Sequence, residues 1–106
     1  MMMEARWTEF AWSMLSQTAD YILCEFGVKT YEDFLQSVDN VVLTLQQHPL
    51  LGDEEKFLQG RPLKYRSIVV DKINKIVYTL DEENNQILIT DFWNTRREPN
   101  LLIESI

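Results

Sequence analysis

Six of the seven bases in the second half of the chain are placed where they could do chemistry: Arg61, Lys64, Arg66, Lys75, Arg96 and Arg97. Two stretches carry most of them, 63–70 (LKYRSIVV) and 86–102 (QILITDFWNTRREPNLL), each beside aromatic and β-branched residues. Guanidinium and ammonium groups on such a surface bind phosphate or carboxylate through charge-assisted hydrogen bonds. The plainer reading is that they keep a half-exposed sheet face soluble and discourage edge pairing. Other chemistry is poorly represented. One cysteine, Cys24, and one histidine, His48, give no zinc site and no internal disulfide. His48 precedes Pro49 at a helix end, which suits a partner for the helix dipole. The carboxylates Asp53, Glu54 and Glu55, and the pair Glu82 and Glu83, read as solvated loop residues. Gly27, Gly52 and Gly60 form no phosphate loop.

The elements that must position these cations change character near residue 62. Met3–Trp7 reads as a short extended segment, an edge strand. Thr8 is an N-cap with Glu9 in the first turn. Phe10, Ala11, Met14, Leu15, Ala19, Ile22 and Phe26 then recur at helical spacing and stop at Gly27. Cys24 on this helix reads as buried packing. Thr30 with Asp33 resembles a capping box that opens a second helix. Its stripe is Tyr31, Phe34, Leu35, Val38, Val41, Val42 and Leu45, and Pro49 ends it. Leu50–Arg61 reads as a loop. Beyond Pro62 the period is two, giving strands over Leu63–Val70, Lys75–Leu80 and Gln86–Trp93, joined by turns rich in Asp and Asn. The expectation is one α+β domain over residues 1–106. A short N-terminal strand and a helical hairpin pack on a small antiparallel β-sheet meander.

Alternation assigns faces once a register is chosen. Pairing Val70 with Lys75 and Asp81 with Gln86 puts Leu63, Tyr65, Ser67, Val69, Ile76, Tyr78, Leu80, Ile87, Ile89, Asp91 and Trp93 toward the helices. Lys64, Arg66, Lys75 and Arg96 then share the open face with Ile68, Val77, Leu88 and Phe92, a surface apolar enough to bind a partner. Arg97 falls on the other side or in the turn before Pro99. Residues 101–106 are apolar enough to cover part of the open face.

Composition bounds the function classes. The chain has 106 residues, 45% apolar and 25% charged, as in a soluble globular domain. The start, MMMEARW, lacks a basic segment followed by an apolar run, so no signal peptide is expected. No apolar run reaches the ~18 residues of a membrane span. A cytoplasmic protein is the expectation. The formal charge is −7, with three bases against ten acids in residues 1–60 and seven of each in residues 61–106. The net field therefore opposes steering toward nucleic acid, although a local cationic patch in the second half is compatible with it.

In order along the chain, these residues resemble the RelE/ParE toxin family. Trp7-Thr8 with Ala11, then Tyr21-Ile22, resemble its N-terminal half. Leu45, Pro49 and Gly52 match its L-x-x-x-P-x-x-G turn. Tyr65-Arg66-Ser67-Ile68, Lys75-Ile76-Val77-Tyr78, and Ile87 with Ile89 match its central strands. Phe92-Trp93-Asn94-Thr95-Arg96-Arg97-Glu98-Pro99, followed by Leu101, matches its terminal arginine motif. The resemblance implies a βααβββ toxin of a type II toxin–antitoxin pair, of the kind called plasmid stabilisation proteins. Such a toxin is neutralised by a cognate antitoxin in a hetero-oligomer. It implies either of two targets: DNA gyrase for ParE-like members, or mRNA cleaved on the ribosome for RelE-like members.

The two modes demand different side chains. Metal-independent RNA cleavage needs a base for the 2′-OH, cations for the phosphorane and an acid for the leaving oxygen. By resemblance, Arg66 and Arg96 would stabilise phosphate charge. Arg61 and Lys64 would add phosphate contacts, and Lys64 could act as the base if its pKa were depressed. RelE-like enzymes tend to carry Tyr or His after the arginine motif, and residues 100–106 contain neither. With the acidic charge, this favours a non-catalytic ParE-like toxin binding its target through Arg61, Lys64, Arg66, Lys75, Arg96 and Arg97. A ribosome-dependent mRNA endonuclease is the alternative, and an inactive interaction module a further one. No cofactor is implied.

Overall fold

A computed structural model describes residues 2–94 of the chain. It shows an α+β domain: strand β1 (Glu4–Trp7), helices α1 (Glu9–Phe26) and α2 (Val28–Gln47), and strands β2 (Asp53–Glu54), β3 (Arg66–Val69), β4 (Asn74–Asp81) and β5 (Gln86–Asn94). The five strands form one mixed sheet in the order β1-β5-β4-β3-β2. β1 runs parallel to β5, with Glu4 opposite Gln86 and Trp7 opposite Ile89, and the other neighbours are antiparallel. No helix among the described residues is long and apolar enough to cross a membrane.

The helices form for the reasons their sequence suggests, with one change at the junction. Thr8 caps α1, its Oγ1 accepting the Ala11 N–H at 3.0 Å. A single residue, Gly27, is both the C-cap of α1 and the N-cap of α2. Its φ of 88° and ψ of 178° lie where a side chain is strained, so glycine is required at this hinge. The second helix therefore starts at Val28, one turn earlier than a Thr30 cap would allow. Ala11, Leu15 and Ala19 of α1 and Phe34, Val38 and Leu45 of α2 are buried against Ile76, Tyr78, Ile87, Ile89 and Phe92 of the sheet. Phe10 and Phe26, expected in the buried stripe, are 40% and 61% exposed. Cys24, expected to pack, is exposed as well.

The sheet departs from the expected register in both hairpins. Val69, not Val70, stands opposite Lys75, and Arg66 stands opposite Tyr78. The Asp71 carboxylate accepts the N–H groups of Ile73 and Asn74, at 2.8 and 2.9 Å, and Val70 is drawn into that turn. In the second hairpin Asp81 faces Gln86 and Tyr78 faces Ile89 as expected, but Val77 faces Asp91. Thr90 is the extra residue, a β-bulge, and the described residues after it, Asp91 to Asn94, change sides. Phe92 consequently enters the main core, edge-on to Phe34 with centroids 5.8 Å apart. Asp91 and Trp93 go to the opposite face.

That opposite face is not open. Leu50–Arg61, expected as a loop, contains β2 and a 3₁₀ turn at Lys56–Leu58. This segment brings Leu58 onto Tyr65, Val77 and Trp93 to form a second small core. Tyr65 is thus on the face away from the helices. Val77 is fully buried and Phe92 nearly so, which removes them from any exposed partner-binding face. The expected cover from residues 101–106 lies outside the described residues.

Candidate functional site: a cationic notch beside β4

β3 begins at Arg66, opposite Tyr78, but β4 continues to Asp81. Thr79, Leu80 and Asp81 therefore have ladder partners only on β5. The chain before β3 veers away, held by Thr79 Oγ1 donating to the Lys64 carbonyl at 2.8 Å. What remains is a notch of about 350 Å³ walled by Leu50, Pro62, Leu63, Leu80 and Thr79, with Lys64, Arg66 and Glu82 as its charged residues.

Arg66 is half-buried, and its guanidinium donates to the carbonyl of Gly52 at 2.7 Å and of Leu50 at 3.5 Å. Those two carbonyls belong to the turn that starts at Pro49. Tyr78 fastens the same turn from beneath: its hydroxyl donates to the Pro49 carbonyl at 2.8 Å and accepts the Gly52 N–H at 2.9 Å. Burial raises the Tyr78 pKa, outweighing the opposing Gly52 hydrogen bond and the Arg66 charge. The hydroxyl therefore stays protonated and keeps donating to Pro49. A guanidinium with fixed acceptors behind it is preorganised, so its remaining N–H groups meet an anion with less loss of freedom.

Of the cations expected together on the open face, Arg66 and Lys75 are separated. Arg66 shares a face with Tyr78 and Ile76, and Lys75 lies on the opposite one with Val69 and Val77. Lys75 is largely buried, its Nζ 2.5 Å from the Glu55 carboxylate and 5.8 Å from the centre of the Phe57 ring. Burial raises the Glu55 pKa, but hydrogen bonds from Lys75, Ser67 and the Phe57 N–H overcome it, and the net shift is downward. Glu55 is thus a buried ion-pair partner, not a solvated loop acid. Lys64 and Arg61 are exposed, and only Lys64 lines the notch with Arg66. Arg96 and Arg97 lie outside the described residues, as does the expected difference between them. Among the described residues no group of three His, Cys, Asp or Glu could hold a metal ion.

Sequence reasoning missed Glu82, Thr79 and the Tyr78 hydroxyl. Glu82 follows directly on the end of β4, but nothing in the local pattern says that β3 is too short to cover that end. The Pro49-x-x-Gly52 spacing was the one available signal for the turn that Tyr78 grips.

No family model matches the chain, and no curated protein does. Solved structures match at low identity but over most of the length. A chain of the chromosomal ParDE TA system from P. aeruginosa superposes with a TM-score of 0.68 at 19% identity, covering 88% of this chain and 96% of that one. The YoeB dimer from Staphylococcus aureus gives a TM-score of 0.58 at 15% identity, covering 88% of this chain and 97% of that one. Two helices on one face of a mixed five-stranded sheet, with this strand order, make the architecture of this chain the RelE/ParE-type toxin fold.

Proposed function

We propose that the protein is the toxin of a type II toxin–antitoxin pair. It binds a macromolecular target and is neutralised by a cognate antitoxin. The observation that carries this reading is the likeness to the ParDE structure across 96% of that chain. The target mode favoured is ParE-like inhibition of DNA gyrase. Arg66 already spends donors on Gly52 and Leu50, which suits a fixed docking contact better than a group that follows charge through a reaction. The absence of Tyr and His from residues 100–106 and the net charge of −7 point the same way. In this reading the notch with Lys64 and Arg66 is the described part of the target-binding surface. Arg61, Arg96 and Arg97 are the other cations proposed to meet the target, while Lys75 is held by Glu55 on the other face.

One observation favours the second reading, a metal-independent mRNA endonuclease acting on the ribosome. Glu82 stands in the notch with both cations. A carboxylate beside Lys64 and Arg66 is the arrangement needed to take a 2′-OH proton while charge builds on a phosphate.

The two readings separate on induced expression without antitoxin. Gyrase-like toxicity gives intact mRNA by primer extension and loss of negative supercoiling activity with purified enzyme. Codon-phased mRNA cuts that vanish in Arg66→Ala overturn it in favour of the nuclease. Unaffected growth at confirmed expression overturns both and leaves an interaction module.

A further inference from the structure

The two edges of the sheet differ. β2, at one edge, is two residues long and carries only Asp53 and Glu54, so a second copy laid against it would set carboxylate against carboxylate. β1, at the other edge, carries Glu4 and Arg6, both exposed. The N–H groups of Glu4 and Thr8 donate to the Asn85 and Ile89 carbonyls, at 3.1 and 3.0 Å. Backbone groups alternate along a strand, so those of Met3, Ala5 and Trp7 point away from the sheet. Met3 is already satisfied, its N–H by the Gln46 carbonyl and its C=O by the Gln46 side-chain amide. The outward backbone groups of Ala5 and Trp7 find no such partner among the described residues. An open row of this kind is a template for another strand. Beside it, Trp12 of α1 stands edge-on to Trp7 with centroids 6.0 Å apart, and Trp12 is 58% exposed.

We infer that β1 pairs antiparallel with β1 of a second copy of this chain, Ala5 opposite Ala5 across a two-fold axis, so that two sheets join into one. Charge selects this register. Only residues whose backbone groups point outward can exchange hydrogen bonds, which leaves few choices of axis. An axis at Arg6 sets Ala5 against Trp7 but puts two guanidinium groups opposite each other. An axis at Trp7 runs Ala5 into Glu9, where α1 has begun. An axis at Glu4 calls on Met3, whose groups are held by Gln46. An axis at Ala5 exchanges hydrogen bonds between the two Ala5 backbones and sets Glu4 opposite Arg6 of the second copy, twice. Those charge pairs flank a hydrogen-bonded pair, so they occupy the narrow positions of the ladder, where opposed side chains come closest. Ala5 and Trp7 pack toward the main core, so alternation puts both charge pairs on the face away from the helices. The exposed Trp12 indole adds apolar area beside the edge for the second copy to cover. This inference does not depend on the toxin reading.

Sedimentation velocity on the full-length chain, over a range of concentrations, tests this. The parent should reach twice the 12.6 kDa chain mass and go no further, because pairing about a two-fold closes at two copies. Glu4→Arg and Arg6→Glu each turn two attractive pairs into two repulsive ones, so each variant alone should weaken association about tenfold or more. Mixed together, the two variants again set a base against an acid at both positions, and the mixture should associate about as tightly as the parent. Glu4 and Arg6 are exposed, so both variants should keep the parent's circular dichroism. Ala5→Pro removes the outward N–H donors and should also dissociate the pair. Should Ala5→Pro fail to fold, the charge variants decide alone. A parent that stays monomeric at every concentration overturns the inference, as does a larger assembly. A dimer that both charge variants leave intact overturns it, and so does a mixture that associates no better than either variant by itself.

Discussion

The Tyr78 hydroxyl and the Gly52 backbone are in such close contact that a Cβ on Gly52 would lie 2.6 Å from that oxygen. The same Cβ would meet the Ser67 carbonyl at 2.7 Å and Tyr78 Cε1 at 2.8 Å. Two rigid obstacles remain even without the hydroxyl. Gly52→Ala should therefore destabilise the fold by about 1–3 kcal/mol, and adding Tyr78→Phe should not restore it. Tyr78→Phe alone should cost about 1–3 kcal/mol by stranding the Gly52 N–H and the Pro49 carbonyl. Urea denaturation of the three variants checks both statements. Recovery of stability in the double variant would show that the turn relaxes.

Arg66 and Lys64 line the same notch but differ in what they hold. Arg66→Ala removes two carbonyl contacts from a half-exposed guanidinium, so a loss of about 1–2 kcal/mol is expected. Lys64 is exposed, and Lys64→Ala should stay within about 0.5 kcal/mol of the parent. If the notch meets the target, both substitutions should relieve growth inhibition, and only Arg66→Ala should lower the thermal midpoint. Full toxicity in Lys64→Ala would remove the notch from the target surface.

The Glu55–Lys75 pair gives the protein a pH signature. The Glu55 carboxyl has its pKa lowered in the fold from 4.5. Its contribution to stability is therefore present above about pH 4.5 and is lost as pH falls through the folded value. Lys75→Met leaves Glu55 buried without its cation and should cost about 3–5 kcal/mol at neutral pH. The acid transition should then begin at higher pH, because the hydrogen bond and charge of Lys75 that lower the carboxyl pKa are gone while its burial remains. The double variant Glu55→Met, Lys75→Met should regain most of the loss, as replacement of a buried pair by apolar side chains is often neutral. Denaturant midpoints from pH 3 to 8 test the sign.

Cys24 is solvent-exposed in the folded state. Native protein should take up one equivalent of maleimide with its circular dichroism unchanged. Modification that waits for denaturant would return this thiol to the interior of α1.

The sequence alone determined the elements and the layers they form. Helical spacing marked Ala11, Leu15, Ala19, Phe34, Val38 and Leu45, and all six are buried. Thr8 and Pro49 bounded the helices, and two-residue alternation marked β4 and β5, because these signals depend only on near neighbours. The resemblance to RelE/ParE toxins rested on the same local residues in order, and the fold agrees with it. Tertiary structure decided which cations meet. The Asp71 turn shifted the first hairpin by one residue and the Thr90 bulge shifted the second, and each shift exchanges faces because side chains alternate with period two. Lys75 thereby went to Glu55 and Arg66 to the Pro49–Gly52 turn. Residues 53–58 carry no period of their own, and only packing on Val77 and Trp93 made them a cover for the sheet. A binding surface is a sum of such long-range contacts. Local pattern named its residue types, and the register chose its members.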